Sequence, residues 1–135
     1  MKIYSKIEPT KILHMVVRKK LTDGRTDVSD PSMFMQLATL KLKKGTTFRP
    51  HQHIWVDRGV KEMIAQESWC VIQGLVKVTF FDTDGSELIS EYIHEGDASI
   101  TYEGGHTYEI MEEDTIVYEY KTGPYQGVEM DKIFI

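Results

Sequence analysis

Gly45-Thr46-Thr47-Phe48-Arg49-Pro50-His51-Gln52-His53, followed after a gap by Glu67-Ser68-Trp69-Cys70-Val71-Ile72-Gln73-Gly74, decides how this chain is read. In an extended strand residues i and i+2 point to one face, about 6.6 Å apart. Arg49, His51 and His53 are therefore expected on a common face, and imidazoles at that spacing reach a single ion through bonds of about 2.0–2.1 Å. Glu67 opens the next strand in phase with Trp69 and Val71. His106 follows Gly104-Gly105 and is in phase with Tyr108 and Ile110. Three imidazoles and one carboxylate form a divalent-metal ligand set, and coordination positions left open would make the ion catalytic rather than structural.

Away from this stretch the pattern keeps a period of two between short turn signals, which predicts strands. Strands are expected over 12–17, 33–43, 48–53, 69–72, 75–81, 88–93, 98–102, 106–111 and 115–121. Asp82-Thr83-Asp84-Gly85 reads as a hairpin turn. Residues 54–66 break the rhythm and read as a loop, with a helical turn over 60–65 and the form of a lid. No run long enough for a ten-residue helix shows an apolar face. Nine or ten short strands at this spacing predict an all-β chain, most simply an antiparallel double-sheet jelly-roll β-barrel that protects its edges.

The 135 residues suggest one domain, with no linker, internal repeat or low-complexity tract. A net charge of -5, with no basic cluster longer than Arg18-Lys19-Lys20, argues against nucleic acid as a partner. The single cysteine, Cys70, excludes an internal disulfide and fits a reducing compartment. The first residues lack an apolar signal region, and no apolar run approaches the roughly 18 residues of a membrane span. A cytoplasmic protein with no membrane partner is the expectation.

The motifs resemble those of the cupin superfamily. Gly45, His51 and His53 match the first half of its first motif, Glu67 and Gly74 the second half, and Gly96-Asp97 through Gly104 and His106 its second motif. The resemblance spans about residues 40–121, leaving 122–135 as a C-terminal tail. It implies a jelly-roll barrel with one divalent transition metal in its mouth, which cupins take as zinc, iron, manganese, nickel or copper. The tail resembles that of small single-domain cupins encoded near surface-polysaccharide genes, and such cupins are commonly homodimers. The family pattern has three or four residues between the second histidine and the glutamate, whereas here residues 54–66 intervene. Glu67, Asp57 or Glu62 therefore all remain open as the carboxylate ligand, as does a site of three histidines only.

Arg49, Gln73, Tyr102 and Tyr108 are the candidate ligand-binding residues. An arginine beside metal-bound histidines suits a carboxylate or phosphate, and a salt-bridged barrel residue is the plain alternative. Trp69 reads as core or pocket wall, Cys70 as a buried inert thiol, and Glu109 and Glu119 as solvated. His14 and His94 have no partners at ligand spacing, and Ile133-Phe134-Ile135 is suited to docking as an edge strand. No catalytic residue is assigned. A metal-dependent enzyme on a small polar molecule, a sugar or sugar-nucleotide by analogy, is the leading functional expectation. A small organic acid is the other substrate class. A non-catalytic binding module and a metal-independent sugar isomerase or epimerase are the alternatives.

Overall fold

Alternation with one apolar face carries through the protein. Leu40, Val71, Val76, Val78, Ile110 and Val117 are each at most 1% exposed and meet in one core. The computed structural model describes residues 1–19, 22–57 and 62–135, excluding the side chain of Glu62. Its strands are β1 (Lys2–Tyr4), β2 (Ile12–Met15), β3 (Gly24–Asp27), β4 (Met35–Leu42), β5 (His51–His53), β6 (Val56–Asp57) and β7 (Glu62–Met63). They continue with β8 (Glu67–Gln73), β9 (Leu75–Phe81), β10 (Glu87–His94), β11 (Ala98–Thr101), β12 (Gly105–Ile110), β13 (Thr115–Thr122) and β14 (Lys132–Phe134). Among the described residues the helical content is one 3-10 turn, Val128–Met130, and no helix is long and apolar enough to cross a membrane.

Two five-stranded antiparallel sheets face each other, ordered β10-β9-β12-β5-β14 and β11-β8-β13-β4-β3. The chain passes repeatedly from one sheet to the other, which is the jelly roll expected. Each inner face is apolar at one end of the barrel and polar at the other, where β5, β8 and β12 bring their first residues together. The β1–β2 hairpin lies against the outer face of the second sheet, where Ile12, Leu13 and Met15 share a groove with Tyr118 and Tyr120.

Several boundaries differ from expectation. Strand β5 begins at His51, because Pro50 offers no N–H to a ladder; the preceding Thr47 makes only an isolated bridge to Glu109. Strand β3, outside the strands expected from the sequence, starts at Gly24 and pairs along β4 as an edge strand. Within the segment expected to turn helically, Glu62–Met63 is instead a strand paired with Val56–Asp57. Arg58, Val60 and Lys61, and with them the lid reading, lie outside the described residues. The C-terminal strand docks on β5 within the same chain, Lys132 opposite His53 and Phe134 opposite His51. Cys70 is half-buried rather than buried.

Gly104 has φ +83°, and a Cβ there would stand 2.6 Å from the carbonyl oxygen of Phe81. Gly96 has φ +90° with nothing within 4 Å of its Cβ position. Gly104→Ala is therefore expected to cost more than the roughly 1–2 kcal/mol of a left-handed non-glycine residue, and Gly96→Ala no more than that. Equal urea midpoints for the two variants would refute the close approach.

Candidate metal centre

His51 and His53 alternate on β5 with Gln52 between them, so both imidazoles enter the barrel and are 8% and 4% exposed. The ladder sets His106 of β12 directly opposite His51. Glu67, the first residue of β8, faces them from the other sheet and is 4% exposed. One potential ligand atom from each of His51, His53, Glu67 and His106 falls within 4.8 Å of all the others. Thirteen intervening residues thus do not displace Glu67 from the histidines. Asp57 lies on an exposed position of β6, outside this group.

Hydrogen bonding orients the rings. His51 Nδ1 lies 3.1 Å from the carbonyl oxygen of Arg49, and His53 Nδ1 3.3 Å from that of Asp131. A carbonyl only accepts, so each Nδ1 carries the proton and each neutral ring keeps its lone pair on Nε2. His53 Nε2 is 3.2 Å from Glu67 Oε2, and His106 Nε2 is 3.2 Å from Glu67 Oε1. The His106 contact is off the direction of a hydrogen bond. Among the described residues this fully buried ring has no hydrogen-bond partner on either nitrogen. A lone pair facing a carboxylate in a dry site is repulsive unless the ring is protonated or a cation sits between them.

Protonation states follow from these neighbours. Burial holds the His51 ring down to about 4, helped by the charges of Lys132 and His106, so it is neutral near pH 7. Burial also opposes charge on His53, but Asp131 and Glu67 together outweigh it and raise that ring. For Glu67 burial favours the acid form, yet the facing His106 and His53 rings hold its carboxyl well below the usual range. Asp131 is likewise lowered against burial, by His53 and by Lys121 at 2.8 Å. A carboxylate behind a ligand histidine is the usual outer support of a metal site.

Beside the cluster lies a cavity of about 260 Å³. Phe48, Trp69 and Tyr108 form one wall, with Trp69 and Tyr108 stacked at 3.9 Å between ring centroids. Burial, then the charge of Glu67, push the Tyr108 phenol up, so it is a neutral hydroxyl, 3.0 Å from Ser99 Oγ. Arg25, Glu119, Lys121 and Lys132 supply the polar lining. Glu119 is not solvated as expected. It is 7% exposed and accepts from Arg25 Nη1 and Nη2 at 3.1 and 2.8 Å and from Trp69 Nε1 at 3.0 Å.

Of the four candidate ligand-binding residues, only Tyr108 lines this cavity. Phe48 and His51 both point inward although three residues apart, so alternation breaks at Arg49-Pro50. Arg49 is left exposed, its guanidinium 4.3 Å from the ring centroid of Phe134. Gln73 ends β8, roughly 20 Å along the strand from Glu67, bonded to Lys19 and the carbonyl of Asp114. Tyr102 follows the end of β11 and is 65% exposed. Lys121 and Glu119 were legible by phase with Val117. Asp131 and Lys132 carry no local signal, since only the docking of β14 brings them to the histidines.

No family model matches the chain, and no curated protein matches it. Solved structures do. CapF from Staphylococcus aureus, a capsular polysaccharide assembling protein, superposes with TM-score 0.66 at 18% identity over 97% of this chain and 36% of its own. Oxalate decarboxylase from Bacillus subtilis gives 0.61 at 20% over 86% and 29%. KdgF from Halomonas sp. gives 0.55 at 22% over 76% and 80%. The chain therefore spans about a third of the first two proteins and most of the third. These neighbours have the cupin fold, and so does this chain. Within that fold the buried His51, His53, Glu67 and His106 form a donor set that could hold a metal ion.

Proposed function

We propose that His51, His53, Glu67 and His106 hold one divalent transition metal, and that the protein acts on a small polar molecule in the adjoining cavity. The observation that carries this reading is His106, fully buried and, among the described residues, with no hydrogen-bond partner on either nitrogen while Glu67 lies 3.2 Å away. A buried polar ring left so costs about 1–3 kcal/mol, and an ion shared with Glu67 removes that cost. Zinc, iron, manganese, nickel and copper all suit three imidazoles and a carboxylate. When bound, such an ion supplies Lewis-acid polarisation or oxygen activation at its open positions.

The protein's own contribution is to hold the Nε2 lone pairs of His51 and His53 inward through their Nδ1 hydrogen bonds, and to exclude water with Phe48, Trp69 and Tyr108. The likeness to CapF supports a sugar or sugar derivative as the ligand class, by analogy of fold. Exposed Leu13, Met33, Phe34 and Met35 around the outer groove support a homodimer. Elemental analysis of purified protein is expected to give one transition metal per chain, with turnover or tight binding in a panel of sugars and organic acids. Metal with binding but no turnover would identify a binding module. A chain that takes up no metal from a set of these ions would end the reading.

A further inference from the structure

His51 carries its proton on Nδ1, so it has a single lone pair, on Nε2. Lys132 Nζ donates to that lone pair at 3.2 Å. A metal held by His51 takes the same electrons, and the ammonium then has no partner there. Among the described residues its remaining charged partner is Asp131 Oδ2 at 3.7 Å, an oxygen that already accepts from Lys121 at 2.8 Å. Arg25 is satisfied by Asp27 at 2.8 Å and by both oxygens of Glu119. Among the described cations of the cavity, Lys132 is thus the one with no carboxylate at hydrogen-bond distance. Its side chain is only 19% exposed, so water solvates it poorly.

The charge of the whole site points the same way. Arg25, Lys121 and Lys132 face the carboxylates of Asp27, Glu67, Glu119 and Asp131, and a divalent ion turns that balance positive by one. We propose that the ligand of this site is a small carboxylate, and that Lys132, brought in by the C-terminal strand, holds its charge beside the metal. The inference rests on the metal reading above. A lysine is a compact point charge suited to one carboxylate oxygen, and poor solvation strengthens the pair. A cavity of about 260 Å³ with aromatic walls admits a small acid.

The test is calorimetry on protein whose metal content is measured in the same samples. Gluconate is compared with sorbitol, and lactate with propane-1,2-diol, each pair differing only by carboxylate against hydroxymethyl. The acid of each pair is expected to bind roughly tenfold or more tightly than its neutral partner, as a charge-assisted hydrogen bond implies. Lys132→Met is expected to remove that preference with metal content unchanged, and Lys132→Arg to keep it. Metal-loaded protein that binds acid and alcohol equally, or Lys132→Met protein that keeps the preference, overturns this inference and leaves the metal reading standing. Protein that takes up no metal overturns both. The wild-type comparison decides even if Lys132→Met does not fold.

Discussion

Replacing His53 with alanine is expected to abolish stoichiometric metal binding and the thermal stabilisation that metal gives the wild type. The imidazole is a donor and also the link between two carboxylates. Its Nδ1 faces Asp131 at 3.3 Å and its Nε2 faces Glu67 at 3.2 Å. Loss of an outer support alone typically weakens a site by about 10–100-fold, and loss of the ligand it supports exceeds that. A metal at a hundred times its dissociation constant stabilises the native state by about 2.7 kcal/mol, so wild-type protein should melt measurably higher with metal than after chelation. The His53→Ala melt should not move with metal. Its metal-free form should also be less stable than metal-free wild type, by about 1–3 kcal/mol. Asp131 keeps Lys121, which limits that loss. His94 is the control, since its side chain is 69% exposed, lies 3.7 Å from Asp97 and is not part of the ligand group. Equal metal content in His53→Ala and His94→Ala proteins would remove His53 from the site.

The parts of this site visible in the sequence are those fixed by short-range geometry. Two histidines on one strand share a face wherever the strand goes, and Glu67 and His106 each begin a strand whose phase is set by apolar neighbours. One error comes from alternation itself, which identifies two faces but not which of them is inside. On β13 both faces are covered, the inner by the barrel and the outer by the β1–β2 hairpin. Tyr118 and Tyr120, the larger residues, lie on the outer face. Glu119, expected in solvent, is on the opposite, inner face, which carries Val117 into the core and Lys121 to Asp131. Arg49 failed for a different reason, because Pro50 interrupts the ladder and shifts the phase between Phe48 and His51. Asp131 and Lys132 depend on a strand pairing that spans about eighty residues of chain, and nothing local to the tail specifies where it docks.

Trp69→Ala is expected to cost about 3–5 kcal/mol, the range for emptying a large aromatic site in a core. The residue is 1% exposed, lies parallel to Tyr108 within 2°, and forms a T-shaped pair with Phe48 at 5.2 Å between ring centroids. Its indole N–H also donates to Glu119, a buried carboxylate whose other partner, Arg25, is 46% exposed. A guanidinium that exposed is partly screened, so the indole bond matters more to Glu119 than its count among three suggests. Trp69→Phe separates the two roles. It retains most of the stack and deletes the donor, and is expected to cost about 1–3 kcal/mol for the weakened solvation of a buried carboxylate. Domains of this kind have about 5–15 kcal/mol in total, so the alanine variant should unfold at a much lower urea concentration and the phenylalanine variant at an intermediate one. Trp69 also stands two residues from Glu67 on the same inward face, so its loss should reduce metal uptake without touching a ligand. If both variants unfold together within about 1 kcal/mol of each other, the indole bond rather than the packing is what Trp69 contributes, and the aromatic wall is not what holds the two sheets at the spacing the site requires.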